Sequence, residues 1–410
     1  MTDIKRVNNL WEKFCNIETA ERAIRLGTRN KKRNYSVMRK LCYKSKDETL
    51  RRTLDPDKVH AYAVRLIEEL ESGYKLSPTL ERTIHPPRGK ERVINSPCLK
   101  DHIIQWMAIL ATKDILMRGM YDHSYGSLPK RGIEGVRAAV ERWVRKDKDA
   151  KYFVKLDIKK FYPSVDQEIL KSKFRRVIKD KRMLEVLDGI ANCIPSGLPI
   201  GTYSSQWFAN FYLQSLDHFI TQDLYKLRRS KRLNFVKHYV RYMDDLLLIG
   251  TSKSDLEKAV RKIIAYCETE LHVRIKPCWE IKEIAIYARN KNGKRIIKPH
   301  AAPIDIVGYR FYKNFVEVRT DIYLHTRRMF VKTIKEIKQY GGITSQHAQG
   351  LISSIGWFMH ASCWRCVRDM CNELSLAFLK KVVSYVKANN IRNGAMKIPC
   401  VKSGYITVAA

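Results

Sequence analysis

Acid is what this sequence is short of. Its 410 residues hold 42 Asp and Glu against 78 Lys and Arg, a formal charge of +36. A surplus of that size bears on partners rather than fold. It favours a polyanion, DNA or RNA, because Lys and Arg contacts to phosphate release condensed counterions. From Arg25 to Lys46 there is no acid at all. A solvated loop tolerates such a stretch, but a phosphate-facing surface explains it better. Also missing is any apolar run of about 18 residues, so no transmembrane helix and no membrane partner are expected. The start, MTDIKRVNNLWEKF, lacks the apolar core of a signal peptide, which points to the cytoplasm. The ten cysteines form no framework, and Cys363 and Cys366, in CWRC, are the only close pair. Zinc would need two more ligands, for which His360 and Cys371 are near enough in sequence. Reduced, mostly buried thiols in a cytosolic protein are the simpler account. There is no internal repeat and no low-complexity segment.

What is present is a chain able to build a core. The hydrophobic fraction of 45% is ordinary for a globular protein, and the length calls for two or three closely packed subdomains. Residues 1–80 read as mainly helical. RTIHPPRGKERVINSPCLKDHIIQWMAILATKDIL begins with a turn at Pro86, Pro87 and Gly89, followed by a short strand and an amphipathic helix. KYFVKLDI (151–158) is a strand, apolar and free of breakers. DQEILKSKFRRVI opens on Asp166, which favours a helix N-terminus. SSQWFANFYLQSLDHFITQDL reads as a largely buried helix. HYVRYMDDLLLIG (238–250) reads as two strands about a tight turn. SKSDLEKAVRKIIAYCETEL is a further helix with Ser and Asp at its start, and HVRIKPCWEI is a last strand. The order is close to a split βαβ, ferredoxin-like sheet with helices on one face. Asn292-Gly293 marks another hairpin turn. After about residue 320 the pattern turns helical and basic.

In such a sheet the first strand and the hairpin are central and adjacent, so Asp157 and Asp244 become neighbours. Carboxylates placed this way repel unless a divalent cation bridges them. Mg2+ prefers a few carboxylates plus substrate phosphates. A pair of such ions roughly 4 Å apart can activate a 3′-hydroxyl and stabilise a departing pyrophosphate. Asp-Asp alone is common in turns. A strand-end Asp together with Tyr-x-Asp-Asp on a hairpin is far more specific.

These residues carry a resemblance. YMDD looks like the active-site box of reverse transcriptases, and DIKKFYPSV resembles their first catalytic motif. GLPIGTYSSQWFANFYL (197–213) resembles the motif that follows it, and DIVGYRFY (305–312) is similar to the primer-grip region. GKERVINSPCLKDHII resembles the fingers segment of bacterial enzymes, in which a Lys-x-Arg pair, here Lys90 and Arg92, contacts the nucleotide triphosphate. The likeness covers roughly residues 80–360. It implies an α+β, right-hand polymerase with fingers, ferredoxin-like palm and helical thumb. The parts would be a basic helical N-terminal extension at 1–80, fingers at 81–150, the palm at 151–315, and a helical thumb with a basic tail at 316–410. Asp157, Ile158, Asp244 and Asp245 would form the metal set for two Mg2+, with Mn2+ as a substitute. Asp157 and Asp244 would be the bridging ligands and Asp245 a looser one. Gly201, Gln206 and Lys276 would surround the nucleotide, and Gly308 and Tyr309 would form the primer grip. Lys276 and Lys282 both offer themselves as the lysine expected after the hairpin helix, with Lys276 preferred.

Two positions bear on what is made. RNA-making relatives carry a polar residue five positions after the first catalytic Asp, to accept the ribose 2′-hydroxyl. Reverse transcriptases carry a bulky aromatic there. Tyr162 stands at that spacing and would exclude the 2′-hydroxyl, so dNTPs are expected; a core tyrosine is the alternative. Phe161 is expected to face the core. Most reverse transcriptases read Gln-Gly-x-x-x-Ser-Pro in the second motif, where this chain reads Ile200, Gly201, Ser205 and Gln206. That pattern resembles the enzymes of diversity-generating retroelements. Gly201 would let backbone approach the templating pair. Ile200 loses hydrogen bonds a Gln could make, and in that family the change accompanies error-prone copying opposite template adenine.

Other segments stay open. Lys226 to Arg232 carries five basic residues, as a solvated linker or a template contact. Trp357 and Trp364 fit a core better than base-stacking platforms. The basic 327–340 stretch suits either a helix tracking a duplex backbone or a solvated face. No acidic cluster suited to RNase H, no His-Asn-His nuclease pattern and no retron signature follows. The expected partners are a structured, non-coding template RNA, its cDNA, dNTPs and a small basic accessory protein. An antiphage reverse transcriptase with its own non-coding RNA is the alternative system. An RNA-binding protein with a vestigial polymerase site is the alternative class.

Overall fold

The computed structural model describes residues 6–31, 33–46, 51–85, 91–292, 295–371, 374–388 and 395–397, without the side chains of Trp364, Asp369, 387–388 and 395–397. The chain divides into two compact units, Met1–Gly135 with Val154–Ile281, and Val136–Phe153 with Lys282–Ala410.

The first unit begins with helices Leu10–Phe14, Ile17–Thr28, Tyr35–Leu41 and Pro56–Glu71, bearing out the helical reading. Their starts are written locally. Asn16 accepts from the amides of Glu18 and Thr19, and Asp55 caps a helix with Pro56 in its first turn. The buried face of Ile17–Thr28 is small: Ala20, Ala23, Gly27 and Thr28 beside Ile24. That lets it press onto the helix Leu99–Met117, where a Cβ on Gly27 would meet the Trp106 ring at 3.0 Å. Leu99–Met117 departs from the expected amphipathic helix. Helices Ile17–Thr28, Tyr203–His218, Leu10–Phe14 and Lys181–Ala191 all pack on it, and buried residues run all round it.

The sheet of this unit has the order Tyr152–Asp157, from Val154 onward, then Asp245–Gly250, His238–Tyr242 and Ser124–Tyr125. The first strand and the hairpin are neighbours, as expected. Helix Lys253–Glu270 packs on Asp245–Gly250 and is capped by Ser252, whose side chain accepts from the Asp255 amide. Helix Gln167–Val177 is capped by Asp166. The expected last strand in HVRIKPCWEI does not form. Only Ile275 bridges, antiparallel, to Ile158. Pro277 has no amide to offer a ladder and restricts the residue before it, so pairing stops there. The basic 226–232 stretch is not a linker but most of a two-stranded ribbon, Tyr225–Arg228 with Lys231–Asn234.

In the second unit, Lys282–Ile284 pairs with Ala301–Ala302 and with Tyr152 and Phe153. Ala288–Arg289 pairs with Arg295–Ile296, as the hairpin reading expects, and Gly293 of its turn lies outside the described residues. Ile304–Ile306, Tyr309–Phe311 and Val316–Val318 make an antiparallel sheet. Helices Thr320–Tyr340, Ser345–Gly356, Trp364–Cys371 and Leu376–Ala388 follow. Among the described residues, no helix is long and apolar enough to cross a membrane.

Candidate active site

The hairpin closes on two residues, since Tyr242 pairs with Asp245 and leaves only Met243 and Asp244 in the turn. Met243 sits at φ 54°. A tight hairpin of this kind takes glycine where φ is positive, and a side-chain-bearing residue there costs roughly 1–3 kcal/mol. The surroundings impose it. The Met243 amide donates to the Tyr125 carbonyl at 3.0 Å, and Arg241 Nη1 donates to the Met243 carbonyl at 3.1 Å. Asn210 Nδ2 lies 3.4 Å from the Met243 sulfur. Gly126, at φ 94°, leaves room for that side chain, because a Cβ there would stand 2.8 Å from Met243 Cγ.

Arg241 and Asp217 anchor this arrangement and are both fully buried. The pair is bidentate, Nε to Oδ1 at 2.8 Å and Nη2 to Oδ2 at 2.6 Å. Tyr239 Oη donates to Asp217 Oδ1 at 2.8 Å and Ser124 Oγ to Oδ2 at 2.7 Å. Arg241 Nη1 also donates to Asn210 Oδ1 at 3.0 Å. Helix Tyr203–His218 and the strands His238–Tyr242 and Ser124–Tyr125 are thus tied together beside the Met243–Asp244 turn. Sequence reasoning missed these residues. The signal was available: an Arg inside an apolar strand and an Asp inside a buried helix each demand a partner.

At the end of the neighbouring strand, the Ile158 amide donates to the Asp244 carbonyl at 3.4 Å. Ile158 itself is buried. The Lys276 amide donates to the Asp157 carbonyl at 2.8 Å, and that short antiparallel contact delivers Lys276 Nζ to 2.7 Å from Asp157 Oδ1. The contact is an ion pair whose angle leaves this buried oxygen without a well-formed hydrogen bond. Of the two candidate lysines, Lys276 is the one brought to the carboxylates; Lys282 opens a strand of the second unit. Burial pushes the Asp244 carboxyl above its usual range, and the charges of Asp245 and Asp157 add to this while Lys276 opposes it. The contact with Asp157 raises the Lys276 ammonium in turn.

Such a set suits a hard dication, which would take over the neutralising task of Lys276 and use the buried oxygen of Asp157. Among the described residues, no three His, Cys, Asp or Glu side chains are grouped so as to hold a metal ion by themselves.

Tyr162 lies against the same group. Burial first, and the Asp244 charge second, push its phenol up to about 12, so it stays neutral across physiological pH. Phe161 beside it is buried, as expected. The Leu198 amide donates to the Tyr162 carbonyl at 2.8 Å. Gly197, at φ 74°, is forced, since a Cβ there would lie 2.6 Å from the Tyr162 carbonyl oxygen. The same loop continues to Ile200, whose carbonyl accepts from the Asn95 amide at 2.7 Å, and to Gly201 at φ 102°. The strand Arg92–Ser96 thereby joins the loop, with Arg92 exposed on it. Lys90 lies outside the described residues. Gln206 is half-buried in the first turns of Tyr203–His218.

Gly308 and Tyr309 belong to the second unit. Val307 and Gly308, at φ 45° and 88°, form the tight turn between paired Ile306 and Tyr309. A Cβ on Gly308 would strike the Trp357 ring at 2.6 Å. Tyr309 is buried, its hydroxyl donates to the Trp357 carbonyl at 3.0 Å, and its ring lies 5.4 Å from the Trp357 ring, so Trp357 packs against this turn, as expected. The Trp364 side chain lies outside the described residues.

Residues 82–277 match the family described as "Reverse transcriptase (RNA-dependent DNA polymerase)". The chain is 29% identical over 212 residues to Retron Ec73 reverse transcriptase of Escherichia coli, covering 50% of this chain and 62% of that protein. It is 23% identical over 232 residues to Protein YkfC of Escherichia coli strain K12, covering 48% and 61%. It is 24% identical over 228 residues to Group II intron-encoded protein LtrA of Lactococcus lactis subsp. cremoris, covering 52% and 38%. The chain thus spans about three fifths of the length of the first two relatives. Among solved structures, telomerase from Candida albicans with a telomeric RNA fragment aligns at a TM-score of 0.44 and 13% identity, over 78% of this chain and 65% of that one. That last likeness is too distant to add to the argument. The segment that carries the strand-end Asp157, the Met243–Asp244 turn and the loop around Gly201 thus matches the reverse transcriptase family, and a bacterial retron reverse transcriptase is among its relatives.

Proposed function

We propose that this chain is an RNA-directed DNA polymerase that copies a dedicated structured RNA into cDNA. The observation that carries the reading is the meeting of Asp157 and Asp244 at the ends of adjacent strands, with Tyr162 against Asp244. Members of the family use divalent metal ions. Here Asp157 and Asp244, with Asp245 and Ile158 beside them, would hold two Mg2+, which would favour the 3′-alkoxide and offset charge on the leaving pyrophosphate. The protein's own contribution is position and fixed charge. The Arg241 network holds the turn, Lys276 steadies Asp157, and Tyr162 walls off the sugar. Lys90 and Arg92 would bind the triphosphate, Gly201 and Gln206 would line the nucleotide, and Gly308 and Tyr309 would serve the primer. On this reading residues 81–150 are fingers, 151–315 palm and 316–410 thumb.

Primer extension on RNA with dNTPs and Mg2+ tests the proposal, with Asp244→Ala plus Asp245→Ala as control. Synthesis by the parent and none by the control is expected. RNA binding without synthesis by the parent would instead favour a binding protein with a vestigial site.

Within this activity, Ile200 supports a role in a diversity-generating retroelement, with a small basic accessory protein. Ile200→Gln should lower misincorporation opposite template adenine, and uniform high fidelity in the parent would remove this reading. The likeness to a retron enzyme favours a second system, a self-contained RNA copied without diversification. Sequencing the RNA that co-purifies, together with its cDNA, separates them: a repeat matching a variable gene marks the first, a self-contained RNA the second.

A further inference from the structure

The two-stranded ribbon formed by Tyr225–Arg228 and Lys231–Asn234 has no part in the chemistry above. It enters and leaves the first unit over the buried residues Leu224, Phe235 and Val236. No acid occurs from Leu224 to Met243, and the ribbon alone carries Lys226, Arg228, Arg229, Lys231 and Arg232. Opposed residues share a face of a ribbon. One face holds Lys226 opposite Leu233 and Arg228 opposite Lys231; the other holds Tyr225 opposite Asn234 and Leu227 opposite Arg232. Lys226 is committed to Asp255, with Nζ at 2.6 and 2.8 Å from its oxygens. Arg232 lies over the Tyr225 ring at 3.8 Å and donates to the Gln222 carbonyl at 3.3 Å. These two contacts fix the ribbon to its base. Arg228, Arg229 and Lys231 at the tip are exposed, and Leu227 beside them is 69% exposed.

The turn is the second observation. Arg229 and Ser230 lie at φ 49° and 61°, left-handed at both central positions. Asn-Gly is the inexpensive choice for such a turn, and each side-chain-bearing residue there costs on the order of 1 kcal/mol. A cation held at a strained tip needs a reason. Charge on an open strand edge also discourages pairing with other chains. That task is met by Arg228 and Lys231 and does not call for Arg229 in the turn.

We propose that this ribbon is a docking element for the phosphate backbone of a folded RNA, with Arg228, Arg229 and Lys231 as the contacting cations and Leu227 covering sugar or base edges. The proposal rests on the reading of the chain as a polymerase that recognises a dedicated RNA, and it gives that recognition a surface separate from the catalytic carboxylates. The occupant follows from charge complementarity, because three exposed cations, without an acidic partner among the described residues, at the tip of an acid-free ribbon on a chain of net charge +36 fit a polyanion. RNA stems are recognised largely by shape and backbone, which asks for cations on a projecting element rather than a base-reading pocket.

The test is fluorescence anisotropy with a labelled RNA stem-loop, titrated with salt, on the full chain. Arg228→Gln with Lys231→Gln removes two cations. Arg229→Asn with Ser230→Gly removes the third while installing the preferred turn, so the ribbon is stabilised rather than unfolded. Combining them should weaken stem-loop binding by roughly tenfold or more near 0.15 M salt and make the salt slope shallower by about three. Extension of a short unstructured template should be unchanged. Parental affinity and slope in the combined variant would overturn the proposal. So would parental stem-loop binding with a loss confined to duplex DNA, since the occupant would then be DNA. If the parent extends no template at all, the polymerase reading fails, while the anisotropy arm still decides whether the ribbon holds RNA.

Discussion

Asp217→Asn is the sharpest perturbation of the site that leaves every metal-facing side chain in place. Asp217 receives four hydrogen bonds on its two oxygens, from Arg241 twice, Tyr239 and Ser124. Neither Asp217 nor Arg241 has any exposed surface. Asn keeps one acceptor but turns an NH2 group toward the guanidinium and leaves a full positive charge buried without its partner. Breaking a buried pair in this way costs about 3–5 kcal/mol, a large share of the roughly 5–15 kcal/mol that holds a domain together. The urea midpoint of the variant, followed by tryptophan fluorescence, should fall accordingly. A second variant separates stability from positioning. Asp217→Leu, Arg241→Met, Tyr239→Phe and Ser124→Ala together replace the network by apolar volume, and such replacements are often neutral. Stability should return in part, because Asn210 Oδ1 and the Met243 carbonyl still lose their donor. Activity should not, because the bond from Arg241 to the Met243 carbonyl is gone and the turn at φ 54° is free to relax. One charged hydrogen bond of about 1.5–3 kcal/mol corresponds to at least a tenfold loss in kcat. A cost below about 1 kcal/mol for Asp217→Asn, or full recovery of kcat in the apolar variant, would refute the reasoning.

Three further outcomes follow from the same geometry. Tyr162→Ala should relax sugar selection, raising rNTP over dNTP incorporation about 10–200-fold in single-nucleotide extension, and an unchanged ratio would return Tyr162 to a packing role. His102 is 7% exposed, and burial, followed by the Lys31 charge, holds its ring down at about 4 against 6.5. The unfolded chain therefore binds this proton first. Stability should be intact above about pH 6.5 and fall by about 3 kcal/mol as the pH drops toward 4, and His102→Gln should remove that step from the urea midpoints. Mg2+ at about ten times its Kd should raise the thermal midpoint by roughly 2–4 °C through preferential binding to the folded site, and the rise should vanish in Asp157→Ala with Asp244→Ala.

Much of the site was legible because its signals are local. The apolar run ending at Asp157 and the alternation around Tyr-x-Asp-Asp each fix a strand within a few residues. Asp166 and Ser252 start their helices by accepting from amides two or three positions away. Composition alone raised the expectation of a polyanionic partner, since charge is a sum over residues and needs no coordinates. What failed were readings that depended on what lies across the chain. Leu99–Met117 looks amphipathic until four helices are packed around it. HVRIKPCWEI looks like a strand until Pro277 ends its ladder after one bridge.

The tertiary structure alone decided which charges answer one another. Sequence offered both Lys276 and Lys282 for the carboxylates, and only the antiparallel contact beside Asp157 chose Lys276. It gave no reason to join Arg241 to Asp217 and Ser124, because a buried ion pair is set by where separate elements cross, not by spacing along the chain. Local periodicity determined that a strand-end carboxylate and a carboxylate hairpin exist. Element order placed them side by side, and long-range packing determined what holds the hairpin turn and at what strain.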